Sequence, residues 1–209
     1  MKPLLYLFLL VGLIQAVEAQ SDSSHYFQEI AQYQQELNDE YADPKESPLL
    51  PQDRRRFGGL PFYPIDPQYC FTARFVRTPG TPPFTMPTTT PRALPRSAIY
   101  EKYGEVHFTI DGISYQLPVY QSHQLRETEE YRDHLFFPFT DLTNGDETYG
   151  GGRYLDLSIP EGDTVVVDFN KAYHPYCAYN PKYSCPITPK ENNLPVAIRA
   201  GVRLGEGKD

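Results

Sequence analysis

The chain has no tryptophan, only three cysteines and two methionines, and no apolar run long enough to cross a bilayer beyond its first twenty residues. It also lacks a surplus of positive charge. Nineteen Lys and Arg against 27 Asp and Glu leave a net charge of −8, which argues against nucleic acid or an anionic membrane as the main partner. The motifs that mark common chemistries are missing as well: no GxSxG, HExxH or GxGxxG occurs. Cys177, Cys185 and His174 do not have the CxxC or HxxxH spacing of a zinc site, and Asp141, Asn144, Asp146 and Glu147 miss the calcium-loop spacing by one or two positions. No metal and no cofactor are expected. Gly150-Gly151-Gly152-Arg153 is not followed by Lys-Ser/Thr or by a helix, so it reads as a bulge admitting a close backbone approach rather than a phosphate cradle.

What is present begins with Lys2 and an apolar run from Leu4 to Val17 that ends in the small-x-small pattern Val17-Glu18-Ala19. That is the pattern of a secretory signal peptide over residues 1–19, too short for a comfortable membrane span. Gln20, not Cys, would follow the cut, so a lipid anchor has no attachment site there. The expectation is an exported protein, periplasmic or extracellular, of bacterial type. The 209 residues include 21 prolines, about twice ordinary usage, beside an ordinary 14 glycines. Hydrophobic residues at 40% and aromatics at 14% suffice for one sizeable core, stiffened by rigid turns.

From Ser23 to Glu40, Phe27, Ile30, Tyr33 or Gln34, Leu37 and Tyr41 recur three or four apart and predict an amphipathic helix. Ser21 to Ser24 offers N-cap candidates, and Asp43-Pro44 ends the segment because the residue before proline avoids helical angles. A proline- and glycine-punctuated connector follows, with Arg54, Arg55 and Arg56 read as a solvated cluster. After Tyr69 the pattern turns to short alternating runs separated by turn residues. The predicted fold is mainly β, an antiparallel sandwich or partly open barrel with one N-terminal helix. Residues 20–56 form the helix and connector, and 57–209 a β-rich domain.

Asp111-Gly112 predicts a two-residue hairpin that pairs Ile110 with Ile113, Phe108 with Tyr115 and Val106 with Leu117 on one face, leaving His107 on the other as an exposed strand residue. A second hairpin, turning at Glu161-Gly162-Asp163, would pair Ile159 with Val165, Leu157 with Val167 and Leu155 with Phe169. A last strand is expected from Val196 to Val202.

The second register carries a chemical consequence, since it sets Asp156 opposite Asp168 and Tyr154 opposite Asn170. Like charges placed so need an arginine (Arg153, Arg199 or Arg203), a cation or a shared proton; the readings left open are an Asp–Arg network, a ligand site and a catalytic dyad. Between the last two strands lies a long loop rich in proline and tyrosine. Cys177 and Cys185, eight positions apart in it, are candidates for a disulfide in an exported protein, with a metal site, a Cys–His nucleophile and inert packed thiols as alternatives. Cys70 is expected to be buried and unpaired.

The tracts Ser47-Pro48-Leu49, Phe57-Gly58-Gly59-Leu60, Glu147 to Leu155, Asp168-Phe169-Asn170-Lys171-Ala172-Tyr173, Cys185 to Asn192 and Arg199-Ala200-Gly201 occur in that order. Together they resemble the bacterial domain-of-unknown-function family numbered sixteen-eighty-four, over nearly all of the chain after the leader. His174 stands where that family usually has Asn, and Thr188 where it usually has Pro. The resemblance implies no activity. It implies that functional residues lie in the matching tract, at Arg153, Asp168, Asn170, Cys177, Asn180, Cys185, Glu191 and Asn192. The family also occurs in proteins without signal peptides, which implies that a disulfide is not its common feature.

Two functions are weighed. The first is a non-catalytic module binding an unidentified small molecule or protein, its rigid loop presenting Tyr173, Tyr176, Tyr179 and Tyr183, which serve equally as lid packing on the sheet. The rival is a small hydrolase using Asp156, Asp168, Asn170, Glu191 and Cys177.

Overall fold

The computed structural model describes residues 3–90 and 99–205, with side chains from Ser23 onward. Lys2 and Pro91 to Ala98 lie outside the described residues, as do the side chains of the expected leader. Helix α1 runs Pro3–Ala42, so Ser21 to Ser24 sit inside it rather than at a cap, and it stops just before Asp43-Pro44. Ile30 and Tyr41 are fully buried and Tyr33 and Leu37 half-buried, whereas Phe27 remains exposed. The expected stripe therefore docks by its C-terminal three turns. Connector residues fold as one short helix, α2 (Pro51–Arg54), with Leu49 and Leu60 buried against Tyr41 and Val202. Among the described residues no helix is long and apolar enough to cross a membrane.

Seven strands form one antiparallel sheet: β1 (Cys70–Arg77), β2 (Phe84–Thr85), β3 (Ile99–Ile110), β4 (Ile113–Ser122), β5 (His134–Phe139), β6 (Arg153–Ser158) and β7 (Thr164–Asp168). Their order is β6-β5-β4-β3-β1-β7, with β2 beside β3, and the sheet curls into an open half-barrel. The β3–β4 hairpin has the predicted register throughout, from Ile110↔Ile113 to Val106↔Leu117. Asp111 and Gly112 adopt φ of 51° and 78°, the double positive φ of a type I′ turn.

The second predicted hairpin does not form. β6 pairs with β5 and β7 with β1, so the two strands lie at opposite ends of the sheet order, and Asp156 faces Phe136 rather than Asp168. Alternation fixes which face a strand buries but not its partner, and both strands satisfy their core face elsewhere. Phe137, Phe139, Leu155, Val167 and Phe169 all enter the main core.

The last predicted strand is also absent, although its alternation is realised as burial: Ile198, Ala200 and Val202 are fully buried while Arg199 is exposed. The carbonyls of Ile198 and Ala200 are satisfied by a side chain instead of a ladder, while those of Val196 and Gly201 accept from the N–H groups of Leu142 and Tyr63. Arg153 donates through Nη1 to Ala200 O at 2.5 Å and through Nη2 to Ile198 O at 2.6 Å and Asp141 Oδ2 at 2.8 Å. Gly152, at φ 93°, brings this arginine in where a Cβ would stand 2.6 Å from Phe139 O, the close approach expected of the glycine run.

Candidate ligand site

The outer face of the half-barrel is also apolar, and it positions the site. In β5, Leu135, Phe137 and Phe139 point to the main core, so His134 and Phe136 point the other way; in β6, Arg153, Leu155 and Leu157 point in, leaving Tyr154 and Asp156 out. Phe136, Tyr154, Tyr100 of β3, Tyr120 of β4 and Met86 make a second buried cluster there. Its rings are set edge to face, Phe136 to Tyr154 at 4.7 Å and Tyr154 to Tyr173 at 6.0 Å between centroids. Tyr173 is anchored by reciprocal backbone bonds with Tyr154 (2.9 and 3.1 Å), which also cover the outer edge of β6.

Between this face, α1 and the proline-rich loop lies a cavity of about 590 Å³, within the size range of small-molecule sites. The helix contributes Tyr33, Leu37 and Glu40. Tyr100, His134, Phe136, Tyr154 and Asp156 come from the sheet, Leu125 and Tyr131 from the turn before β5, and Tyr173, Pro175, Tyr176, Cys185 and Pro186 from the loop. Asp156 is the open polar group of this wall, its side chain 49% exposed against 15% for His134. It accepts from His134 Nε2 at 2.7 Å, since a carboxylate can only accept, and from the Tyr173 hydroxyl at 2.8 Å. Tyr176 donates to Glu40 at 2.5 Å. Burial holds the Tyr100 hydroxyl up at about 12 and pushes Tyr154 and Tyr173 higher still, so every one of these phenols is neutral near pH 7.

Most residues named from the sequence do something different. Arg153 is fully buried with Asp141. Arg199 pairs with Glu147, not with Asp156 or Asp168. Asp168 accepts from the backbone N–H and the side chain of Asn170, both at 2.9 Å, and from Tyr26 of α1 at 3.0 Å. Asn170 in turn clasps Asp66, accepting from its N–H at 2.9 Å and donating to its carbonyl at 2.8 Å. Asn180 donates to Pro48 O at 3.1 Å, and Asn192 donates to Pro118 O at 2.8 Å. The single Tyr120 hydroxyl hydrogen is shared between Glu191 Oε1 at 2.7 Å and Asn192 Oδ1 at 2.9 Å. These side chains join connector, loop and strands.

The three cysteines are free, so the expected Cys177–Cys185 bridge is absent. A single helical turn at Tyr176–Ala178 instead directs the Cys177 N–H onto Cys185 Sγ at 3.2 Å. Hydrogen bonding from the Cys185 thiol holds Cys177 down at about 6, while burial pushes Cys70 up to about 11. His174 is buried, accepts from the Tyr149 N–H at 3.2 Å and is driven down to about 3 by burial and by Arg153. Among the described residues no group of three or more His, Cys, Asp or Glu is placed to hold a metal ion.

The sequence reading named Tyr33 and Leu37 only as a packing stripe, and it named none of Glu40, Tyr100, Leu125, Tyr131, His134 and Phe136 as functional. His134 and Phe136 share a face by simple alternation in His134-Leu135-Phe136, a signal within reach; no local signal sets α1 over that face.

A solved structure, the solution NMR structure of an uncharacterised protein of Haloarcula marismortui, matches with a TM-score of 0.68 and 29% identity, covering 90% of this chain and 99% of that one. No curated protein matches. The family model described as "Protein of unknown function (DUF1684)" matches residues 55–203, from the connector through the Arg153-bound segment. The chain that builds this tyrosine-walled cavity belongs to that family.

Proposed function

We propose that this protein is an exported, non-catalytic binding module whose ligand is a small molecule held in the cavity between α1, the outer face of β3, β5 and β6, and the proline-rich loop. One observation carries the reading: the walls are predominantly aromatic, and the half-exposed carboxylate of Asp156 faces the space, with Glu40 of α1 beside Tyr176, while the other polar groups named from the sequence are committed elsewhere. Export is supported by the Leu4 to Val17 run and its small-x-small ending.

The hydrolase reading is less well supported. Asp156 and Asp168 border the same groove of about 300 Å³ between β6 and β7, but Asp168 is buried and bonded to Tyr26 and Asn170, and Glu191 belongs to Tyr120. The ring nitrogen of His134 not given to Asp156 is buried without a partner, so neither nitrogen is open to act as a base.

Saturation-transfer NMR with 2-phenylethanol as a neutral aromatic probe tests the reading. Transfer to the probe is expected, and its loss in Leu125→Trp and in Leu37→Trp, which fill the cavity from two walls, is expected with thermal unfolding still cooperative. Absence of transfer, or transfer that survives both variants, would refute it.

A further inference from the structure

We propose that the cavity's ligand is an organic cation, a protonated amine carried on an apolar body. This rests on the binding reading above and names its ligand class. The first argument is charge. Two carboxylates, Glu40 and Asp156, line the cavity, and no Lys or Arg does.

The second argument counts protons. Four of the six lining tyrosines have already donated their hydroxyl hydrogen: Tyr33 to Lys171 O at 2.9 Å, Tyr173 to Asp156 at 2.8 Å, Tyr176 to Glu40 at 2.5 Å, and Tyr154 to the Pro186 carbonyl. His134 has likewise given its Nε2 proton to Asp156. What these groups still present is oxygen lone pairs, and a carboxylate accepting two bonds has about two acceptor sites left. An anion would find these donors already spent. A ligand bringing N–H donors and positive charge would find acceptors on one side and ring faces, negative by their quadrupole, on the others.

The third argument is desolvation. The lining is dominated by rings and by Leu37, Leu125, Pro175 and Pro186, so a small, strongly hydrated metal ion would exchange its water for little. An ammonium on an aryl or alkyl body is less strongly hydrated than such a metal ion, so it loses less and gains the walls.

Calorimetric titration of the full protein with three probes of one shape tests this: 2-phenylethylammonium, 2-phenylethanol and 3-phenylpropionate. The ammonium is expected to bind about tenfold or more tighter than the alcohol, with the carboxylate weakest, because a hydrogen bond to a charged partner exceeds a neutral one by that order. Asp156→Asn should erase most of that preference, lowering ammonium affinity far more than alcohol affinity; Glu40→Gln should lower it less. If alcohol and ammonium bind equally, and both are lost in Leu125→Trp, the cation inference falls and the binding reading stands. The inference also falls if the preference survives in both Asp156→Asn and Glu40→Gln. If no probe binds, both fall.

Discussion

Two carboxylates with basic partners sit on opposite sides of the same β6 strand, and the chain treats them in opposite ways. Asp141 and Arg153 are fully buried, and between them they take up the N–H of Thr143, the N–H of Ile198 and the carbonyls of Ile198 and Ala200. Asp156 and His134 stand at the wall of a cavity, with Asp156 half-exposed and with acceptor capacity left over. A buried pair has to be satisfied nearly in full, because each unmet charge or hydrogen bond in a low dielectric is costly, and here Arg153 Nε alone is left without a partner. The first pair therefore locks segments together, and the second is free to meet something that arrives. The same contrast separates Asn170, Asn180 and Asn192, all buried and bonded to connector or strand backbone, from the tyrosines whose rings face open space.

Arg153→Met should break the locked side hardest. It strands the Asp141 charge and frees the carbonyls of Ile198, Ala200 and Val202, so urea denaturation should report a loss of about 3–5 kcal/mol, partly recovered when Asp141→Asn is added. A loss below 1 kcal/mol would mean that this pair is not what holds residues 198–202. Asn170→Ala, which unclasps Asp66 and Tyr26, should cost about 1–3 kcal/mol and speed proteolysis within α1; unchanged protease resistance of the helix would count against its role as a joint.

Acid should act on the locked side too. His174 falls from its ordinary 6.5 to about 3 in the folded chain, so the unfolded chain takes up the proton first, and stability is lost as pH falls from about 6.5 toward 3. Glu29, Glu101, Glu105 and Glu147, held below 4.5 chiefly by Lys171, His123 and Arg126, Lys102 and Arg199, contribute further down. The urea midpoint should drop between pH 7 and pH 5, and His174→Gln should flatten that drop; equal slopes would exclude His174 as its source.

On the open side the effects on stability should be small. Asp156→Asn keeps one acceptor oxygen, for either His134 or Tyr173, at a half-exposed position where water can serve the other, and should shift unfolding by less than about 1 kcal/mol; a cost comparable to that of Arg153→Met would erase the contrast. Thiol chemistry sharpens it further. Alkylation of Cys177, held down by hydrogen bonding from Cys185, should proceed at lower pH than that of an ordinary thiol, while Cys70, pushed up to about 11, stays inert at neutral pH; a purified protein with a single titratable thiol would contradict the free Cys177 and Cys185.

The β3–β4 hairpin was legible to the residue because Asp111-Gly112 and the apolar alternation demand the same register. β6 and β7 were legible as strands but not as non-partners, because Leu155, Leu157, Val165 and Val167 would bury equally well against any neighbour. Val196 to Val202 shows the converse: its burial pattern was readable, but the guanidinium that replaces its ladder lies 45 residues away from Ile198 in sequence. The family-like tracts drew attention to Arg153, Asp168 and Asn170, whose chemistry turns out to be spent inside the fold. The cavity depends on Tyr33, Leu37 and Glu40 crossing residues of β5 and β6, a relation that no local pattern encodes.

The most direct test is amide chemical-shift mapping of the full protein titrated with 2-phenylethylammonium. Saturable shifts clustered at Leu37, Leu125, His134 and Asp156 are predicted; no saturable shifts, or shifts confined to the outer groove of the β3–β4 hairpin at Arg74, His107 and Gln116, would contradict the account.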